Sequence, residues 1–327
     1  MKNHYTDITE HIKILGRDWK QQYANIWRKI TPKSKYYLPH ANSTLKYTNG
    51  EIRDYVNPVY KDIDITYSID ENGFRHYPNY SPTSSKKIYV FGCSMTFGVS
   101  APDEHTWPFL LANKFGGWQL KNYGIPGIGA GQIARVCYQA ISSLKKEDYP
   151  DVVYVLLPDV FRTEYIGNEE NRHVYSQINL HTLKYPTLKD VIKEKYDPNN
   201  TYQYISGNTL EENIEGKIYS YYNFTSAAHC FFETVKAFKL IQETLESRGI
   251  RWFWYTWSPF FYKFKSETIT TFFSNNTLMD ENGFFIIERG EHRTGRDGTH
   301  VGYEYSNELA DAFLNLYNTY ETNKKSN

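Results

Sequence analysis

Between about residues 86 and 317, short apolar runs alternate with amphipathic stretches, and this predicts an α/β fold with a central parallel sheet of about five strands. Three observations carry that expectation. Each run has strand length and is rich in β-branched or aromatic residues, each of the first four is followed by helical spacing or an inserted segment, and glycines or prolines punctuate the joins. Strands separated by helices form βαβ units, whose crossovers leave the strands parallel.

The elements follow in order. Residues 1–85 precede the first run and are read as an N-terminal extension packed on the core. Within it, Ile8, Ile12, Ile14, Leu15, Trp19, Tyr23 and Trp27 recur at mostly three- and four-residue spacing, which predicts a helical region over 7–30. From Thr31 to Thr83 the chain is rich in Pro, Asn and Tyr and is read as an irregular cover over one edge of the core. Asp70-Glu-Asn-Gly73 is a turn signal within it. The first core strand is Ile88–Phe91, and an amphipathic segment spans 106–115. A second strand over 118–123 leads to a helix over about 131–144. Strand three is Val152–Leu157, and a tyrosine- and asparagine-rich insertion covers about 163–225. A helix over about 226–248 follows, then strand four (251–257), a second insertion (about 258–282), a fifth strand (283–288) and a last helix over about 303–317. The main domain is thus 86–320, and the charged end, 321–327, is read as a flexible tail.

Chemistry concentrates where the first strand ends. Gly92-Cys93-Ser94 follows the apolar run, and a serine on a tight turn after a buried strand can expose both its hydroxyl and its backbone N–H. Such a turn is also an ordinary strand-to-helix junction. Near the other end, Gly295-Arg-Asp297-Gly-Thr-His300 sets a carboxylate and an imidazole three residues apart in a glycine-punctuated loop. A nucleophilic serine needs a base, and that base needs a group that holds its tautomer. Ser94, His300 and Asp297 are the residue types for those three roles. Asp297 capping a turn and His300 opening a helix would explain the same loop without catalysis.

Taken together the two stretches resemble the SGNH, or GDSL-like, hydrolase family. Gly92-Cys93-Ser94-Met95-Thr96 is similar to its first block, Asn122-Tyr-Gly124-Ile-Pro-Gly127 to its second, and Asp297-Gly-Thr-His300 to its last. The resemblance covers about 86–316 and implies a flavodoxin-like three-layer α/β/α sandwich. It further implies Ser94 as nucleophile, His300 as base then acid, Asp297 as its orienting carboxylate, and the Ser94 and Gly127 N–H groups as oxyanion donors. The lead-in Tyr67–Arg75 also resembles a segment found ahead of the first core strand in some such proteins. Two departures matter. Cys93 stands where an aspartate is usual. In the third block, normally Gly-x-Asn-Asp, this chain reads Pro158-Asp159-Val-Phe-Arg162 and lacks the asparagine that donates to the oxyanion. Losing one such donor typically costs about 2.7–4 kcal/mol of transition-state stabilisation. Arg162 or an amide of a later loop could take its place, or the enzyme is slow, specialised or inactive. Asp159, Arg162 and Trp257 are expected to emerge beside Ser94 at the carboxyl ends of the strands and to contact substrate. The aromatic stretch 260–264 either lines that cleft or packs the insertion onto the core.

Composition bounds the partners. Lys+Arg and Asp+Glu are equal at 37 each, so no net charge steers the chain towards nucleic acid or an anionic membrane. No run approaches 18 apolar residues, so no membrane span is expected. Cys93, Cys137 and Cys230 are odd in number and without paired spacing, which suits reduced thiols. With a polar, mixed-charge start lacking an apolar signal core, the expected location is the cytoplasm, or a particle assembled there. His105 and His292 beside His300 make no diagnostic metal spacing, the glycines of 124–131 lack the register of a dinucleotide loop, and no Walker lysine is present, so no cofactor is expected. Thirty tyrosines among 327 residues suit stacking on sugar rings, or reflect a compositional bias of the source. The expected activity is hydrolysis of a small acyl ester, with an O-acetyl group on a carbohydrate as the favoured substrate. The alternatives are an O-acyltransferase and a non-catalytic binding or structural protein, such as a virus or phage component or a homo-oligomer.

Overall fold

The computed structural model describes residues 44–47, 60, 65–70, 72–160, 162–169, 172–179, 227–258, 261, 271–274, 276–280, 283–284, 287, 293–295 and 300–326. The helical region expected over 7–30 lies outside them, as does Asp297.

Four strands, β4 (Lys87–Gly92), β5 (Gln119–Gly124), β6 (Val152–Leu157) and β9 (Trp252–Thr256), form the central sheet in the order β5-β4-β6-β9. Every pairing in it is parallel. β6 is buried at all six positions, as a central strand covered on both faces must be. In chain order the sheet reads second-first-third-fourth, the flavodoxin-like winding expected from the sequence. Helices α2 (Trp107–Lys114) and α5 (Tyr303–Ser326) pair with each other, as do α3 (Ala130–Ser142) and α4 (Ala227–Glu246). The period-2 alternation of β9 shows that the pairs lie on opposite faces. Phe238 of α4 packs on Trp252 and Trp254, whereas Phe253 between them meets Tyr317 and Tyr320 of α5. The result is a three-layer α/β/α sandwich.

A fifth strand at 283–288 is not what the described residues show. Met279–Asp280 (β10) and Gly283–Phe284 (β11) form a two-residue antiparallel hairpin instead. The cause is local: Asp280-Glu-Asn-Gly283 repeats the turn-forming tetrapeptide of 70–73 and folds the chain back. The outer flank of β9 is covered by the preceding segment. Trp254 makes a parallel bridge with Thr277, its N–H donates to Asn276 O (3.1 Å), and the Asn276 amide donates to Trp252 O at 2.5 Å. Thus β9 is not left as a bare edge.

Two other expectations are revised. Within the lead-in read as an irregular cover, the described residues include regular structure. β1 (Thr44–Tyr47), β2 (Ile65–Ile69) and β3 (Arg75–His76) form an antiparallel sheet. The β2–β3 turn is closed by Asp70, whose carboxylate accepts from Asn72 N–H (2.8 Å) and Phe74 N–H (3.0 Å), with Gly73 at φ +87°. Ile65, Tyr67 and Ile69 make a small core of their own with Phe97 and Val99, just past Ser94. At the other end, α5 continues to Ser326 through the segment read as a tail, tied back by a 2.8 Å ion pair between Arg251 and Glu321. The first insertion begins as a hairpin of β7 (Arg162–Glu169) and β8 (Arg172–Asn179). In the second, Phe261 is fully buried against Trp254 and Phe273, so at that position the aromatic stretch packs the core.

Candidate active site

Winding that reverses direction leaves a crevice beyond the carboxyl ends of the first and third strands, where ligands of such sheets bind. Here those strands are β4 and β6, which pair Gly92 with Leu156. Ser94 and Asp159 therefore leave the sheet side by side. Ser94 opens α1 (Ser94–Phe97), a single helical turn that Gly98 ends at φ +82°, donating to Ser94 O at 2.9 Å.

The turn is held by close contacts that only glycine permits. A Cβ on Gly92 would sit 2.0 Å from Thr96 Oγ1 and 2.9 Å from Leu156 O. On Gly124, at the end of β5, it would sit 2.3 Å from Phe97 N. Buried Asn122 completes the join: its amide donates to Thr96 O (2.8 Å) and to the Tyr77 hydroxyl (2.7 Å), and it accepts from Gly124 N–H (2.8 Å). Burial pushes the Tyr77 hydroxyl up from its usual range, which keeps it protonated. The second sequence block is thus bonded directly to the serine turn. Three residues beyond Gly124, Gly127 is exposed and adopts φ +83°, a conformation costly for any other residue.

On the third strand, Arg162 N–H donates to Asp159 O (3.0 Å), closing a turn immediately before β7. Asp159 is buried and accepts from Ser258 Oγ at 3.3 Å. The Arg162 guanidinium lies over the Trp257 ring, 4.9 Å from its centroid, and its Nη1 has no hydrogen-bond partner. The Arg162 carbonyl packs on Gly129, where a Cβ would approach to 2.5 Å. The three side chains expected at the strand ends are therefore together, and Arg162 borders the loop that holds Gly127.

His300 arrives on a hairpin. Gly302 N–H donates to Arg293 O (2.8 Å), Gly295 N–H donates to His300 O (2.7 Å), and Thr294 bridges Val301. Residues 296–299, Asp297 among them, lie outside the described residues. The neck of this hairpin rests on the loop leaving the serine turn: a Cβ on Gly295 would meet Ser100 Oγ at 2.3 Å and Ser100 O at 2.9 Å. The two distant motifs are thereby brought against each other. Ser94 is 4% exposed, its hydroxyl contacts Cys93 Sγ at 4.0 Å, and no described hydrogen bond links it to His300.

Neither His105 nor His300 belongs to a metal-binding group among the described residues. His105 is half-buried between Tyr303 (ring centroids 4.9 Å apart) and Tyr60, whose hydroxyl lies 3.2 Å from Nδ1, and burial pulls its pKa below the usual value. All three cysteines are buried free thiols. Among the described residues no helix is long and apolar enough to cross a membrane.

Two residues given no role in the sequence reading bond the loop that leaves the serine turn: Arg75 donates to Phe97 O and Gly98 O, and the Tyr67 hydroxyl accepts from Ser100 N–H. Their trace in the sequence is that they begin and end the Tyr67–Arg75 lead-in.

No family profile and no curated protein matches this sequence. Comparison with solved structures finds AlinE4, an SGNH-hydrolase family esterase, at 16% identity over 73% of this chain and 98% of that one, with a TM-score of 0.33. A protein described as lipolytic and of the G-D-S-L family, from Desulfitobacterium hafniense DCB-2, is 12% identical over 71% and 99% (TM-score 0.30). LAE5, an alpha/beta hydrolase enzyme from the metagenome of Lake Arreo, Spain, is 13% identical over 72% and 96% (TM-score 0.28). An AlinE4 mutant matches over only 24% of this chain and 42% of its own, at 21% identity and a TM-score of 0.21. At these identities and TM-scores those proteins lend no residue roles to this chain.

Proposed function

We propose that this chain is a serine esterase of SGNH type. Ser94 Oγ attacks an acyl carbonyl and passes its proton to His300, and the Ser94 and Gly127 N–H groups bind the developing oxyanion. His300 returns the proton to the leaving alcohol as the acyl-enzyme forms. It then takes a proton from water, whose oxygen displaces Ser94, and hands that proton back to the serine. Asp297 holds the imidazole in the tautomer this needs. Arg162 stands in for the missing asparagine, since its Nη1 is unpartnered and its backbone packs beside Gly129, two residues past Gly127. The observation that carries the reading is the contact of Gly295 with Ser100, which seats the His300 hairpin on the loop leaving Ser94. The favoured substrate is an O-acetyl ester on a carbohydrate, taken against Trp257 and the Arg162 end of the cleft.

Reaction of the folded protein with a fluorophosphonate, followed by mass mapping, tests this. The expected result is one adduct at Ser94, absent after His300→Ala. No adduct on a folded sample overturns it. Acetate release from an acetylated polysaccharide, abolished by Ser94→Ala, tests the substrate.

A second reading has one observation in its favour. Ser94 is buried, and no described hydrogen bond joins it to His300, as expected for a protein that kept the fold for binding. Stable co-purification with a particle, without labelling of Ser94, would select it.

A further inference from the structure

We infer that Arg75 and Tyr67, from the antiparallel sheet ahead of the core, are positioning residues. They set the loop 97–103 so that the His300 hairpin seats against Ser94, an inference about catalysis that rests on the esterase reading.

Arg75 is 1% exposed, and all five of its N–H donors are used. Nη1 donates to Phe97 O (2.9 Å) and Gly98 O (2.6 Å), and Nη2 donates to Ala101 O (3.0 Å) and Asp103 Oδ1 (2.7 Å). Nε completes the set with Asp103 Oδ1 at 3.1 Å. Three main-chain carbonyls converge there, in a stretch that belongs to no strand and follows a single helical turn. Left alone they would repel one another in a water-poor site. One planar guanidinium satisfies them together, which an ammonium with three donors cannot do.

The same cation lies 4.6 Å from the centroid of the Tyr67 ring, and the Tyr67 hydroxyl accepts from Ser100 N–H at 2.8 Å. Ser100 is the one non-glycine residue with positive φ (63°) among those described, a backbone state that persists only when its surroundings impose it. Arg75 fixes the chain on both sides of Ser100, and Tyr67 fixes Ser100 itself. The Ser100 carbonyl and hydroxyl in turn face Gly295, whose N–H holds His300 O. A continuous path of contacts therefore runs from β2 and β3 to His300.

A role confined to folding predicts that weakening this path lowers stability and leaves the chemistry of the folded fraction unchanged. Positioning predicts the opposite split. Tyr67→Phe removes one hydroxyl and keeps the ring under Arg75, so it should fold. Arg75→Lys is the stronger perturbation. In Tyr67→Phe we expect phosphonylation of Ser94 in the folded protein to slow on the order of 10–100-fold, with the melting temperature lowered by only a few degrees by the one unpaired buried N–H. Amide hydrogen exchange should rise in 98–103 and in 293–302, while 119–124 stays as in the wild type. Labelling at the wild-type rate, or exchange rising in 98–103 alone, overturns the inference. A wild-type protein that is never labelled sinks the esterase reading instead. The exchange data would still decide, in that case, whether the two segments are coupled.

Discussion

The two halves of the candidate site are built differently. On the serine side, β4, the turn of α1 and the end of β5 meet backbone to backbone. Gly92 and Gly124 leave no room for a methyl group, and Asn122 bonds the turn from below. On the histidine side a short hairpin is closed by two backbone hydrogen bonds and rests on Ser100 through Gly295. Ser94 is therefore part of the core, whereas the His300 hairpin rests on it. If the proposed esterase reading holds, a site so divided is tuned from the hairpin.

The largest expected effect breaks the serine side. Gly124→Ala sets a carbon 2.3 Å from Phe97 N and 2.7 Å from Thr96 C, backbone atoms that cannot swing aside. A loss of about 3 kcal/mol or more in unfolding free energy is expected, read from denaturant midpoints. Retention of wild-type stability would show that the two strand ends are not locked together. Gly295→Ala probes the other side. A Cβ there would meet the Ser100 hydroxyl at 2.3 Å, which can rotate, and the Ser100 carbonyl oxygen only at 2.9 Å, a milder backbone clash than at Gly124, so stability should fall by about 1–2 kcal/mol. Labelling of Ser94 should nevertheless drop on the order of 100-fold, because the hairpin lifts from its seat. Adding Ser100→Gly removes the hydroxyl and relieves the positive φ, and it should restore part of the rate. A stability loss as large as that of Gly124→Ala would erase the contrast between the halves.

The smallest effect concerns the anchor of α5 beside the hairpin. Tyr303 N–H donates to Tyr60 at 2.8 Å, and the Tyr60 hydroxyl faces His105 Nδ1. Burial lowers the His105 pKa below its ordinary 6.5, so the unfolded chain binds more protons there than the folded one. Stability from this group is present above about pH 6.5 and is lost as pH falls through the folded-state pKa. Melting temperatures measured from pH 7.5 down to 5 should decline less steeply in His105→Asn than in the wild type. Parallel curves would remove His105 from the account.

Legibility in the sequence tracked the range of the physics. Val152–Leu157 is found where its unbroken apolar run places it, and α3 and α4 lie within about two residues of their periodic patterns. The turn at 70–73 shows in its own side chains, since the Asp70 carboxylate makes it. The same tetrapeptide at 280–283 carried the same signal and marked a hairpin where a fifth strand was expected. The role of Arg75 was not legible. Its stretch, Tyr67–Arg75, shows a family resemblance, but nothing in it marks the arginine as a buried fork bonded to carbonyls more than twenty residues away.

Strand periods, turn chemistry and the placement of Ser94 after a buried run belong to the sequence alone, because steric and hydrogen-bonding preferences act over a few residues. Tertiary structure decided which segment flanks β9, that the strands ahead of the core clamp the loop after Ser94, and that Gly295 seats the His300 hairpin on Ser100. Those outcomes depend on packing and desolvation between segments distant in the chain. Such contacts acquire their energy only once the sheet has brought them together.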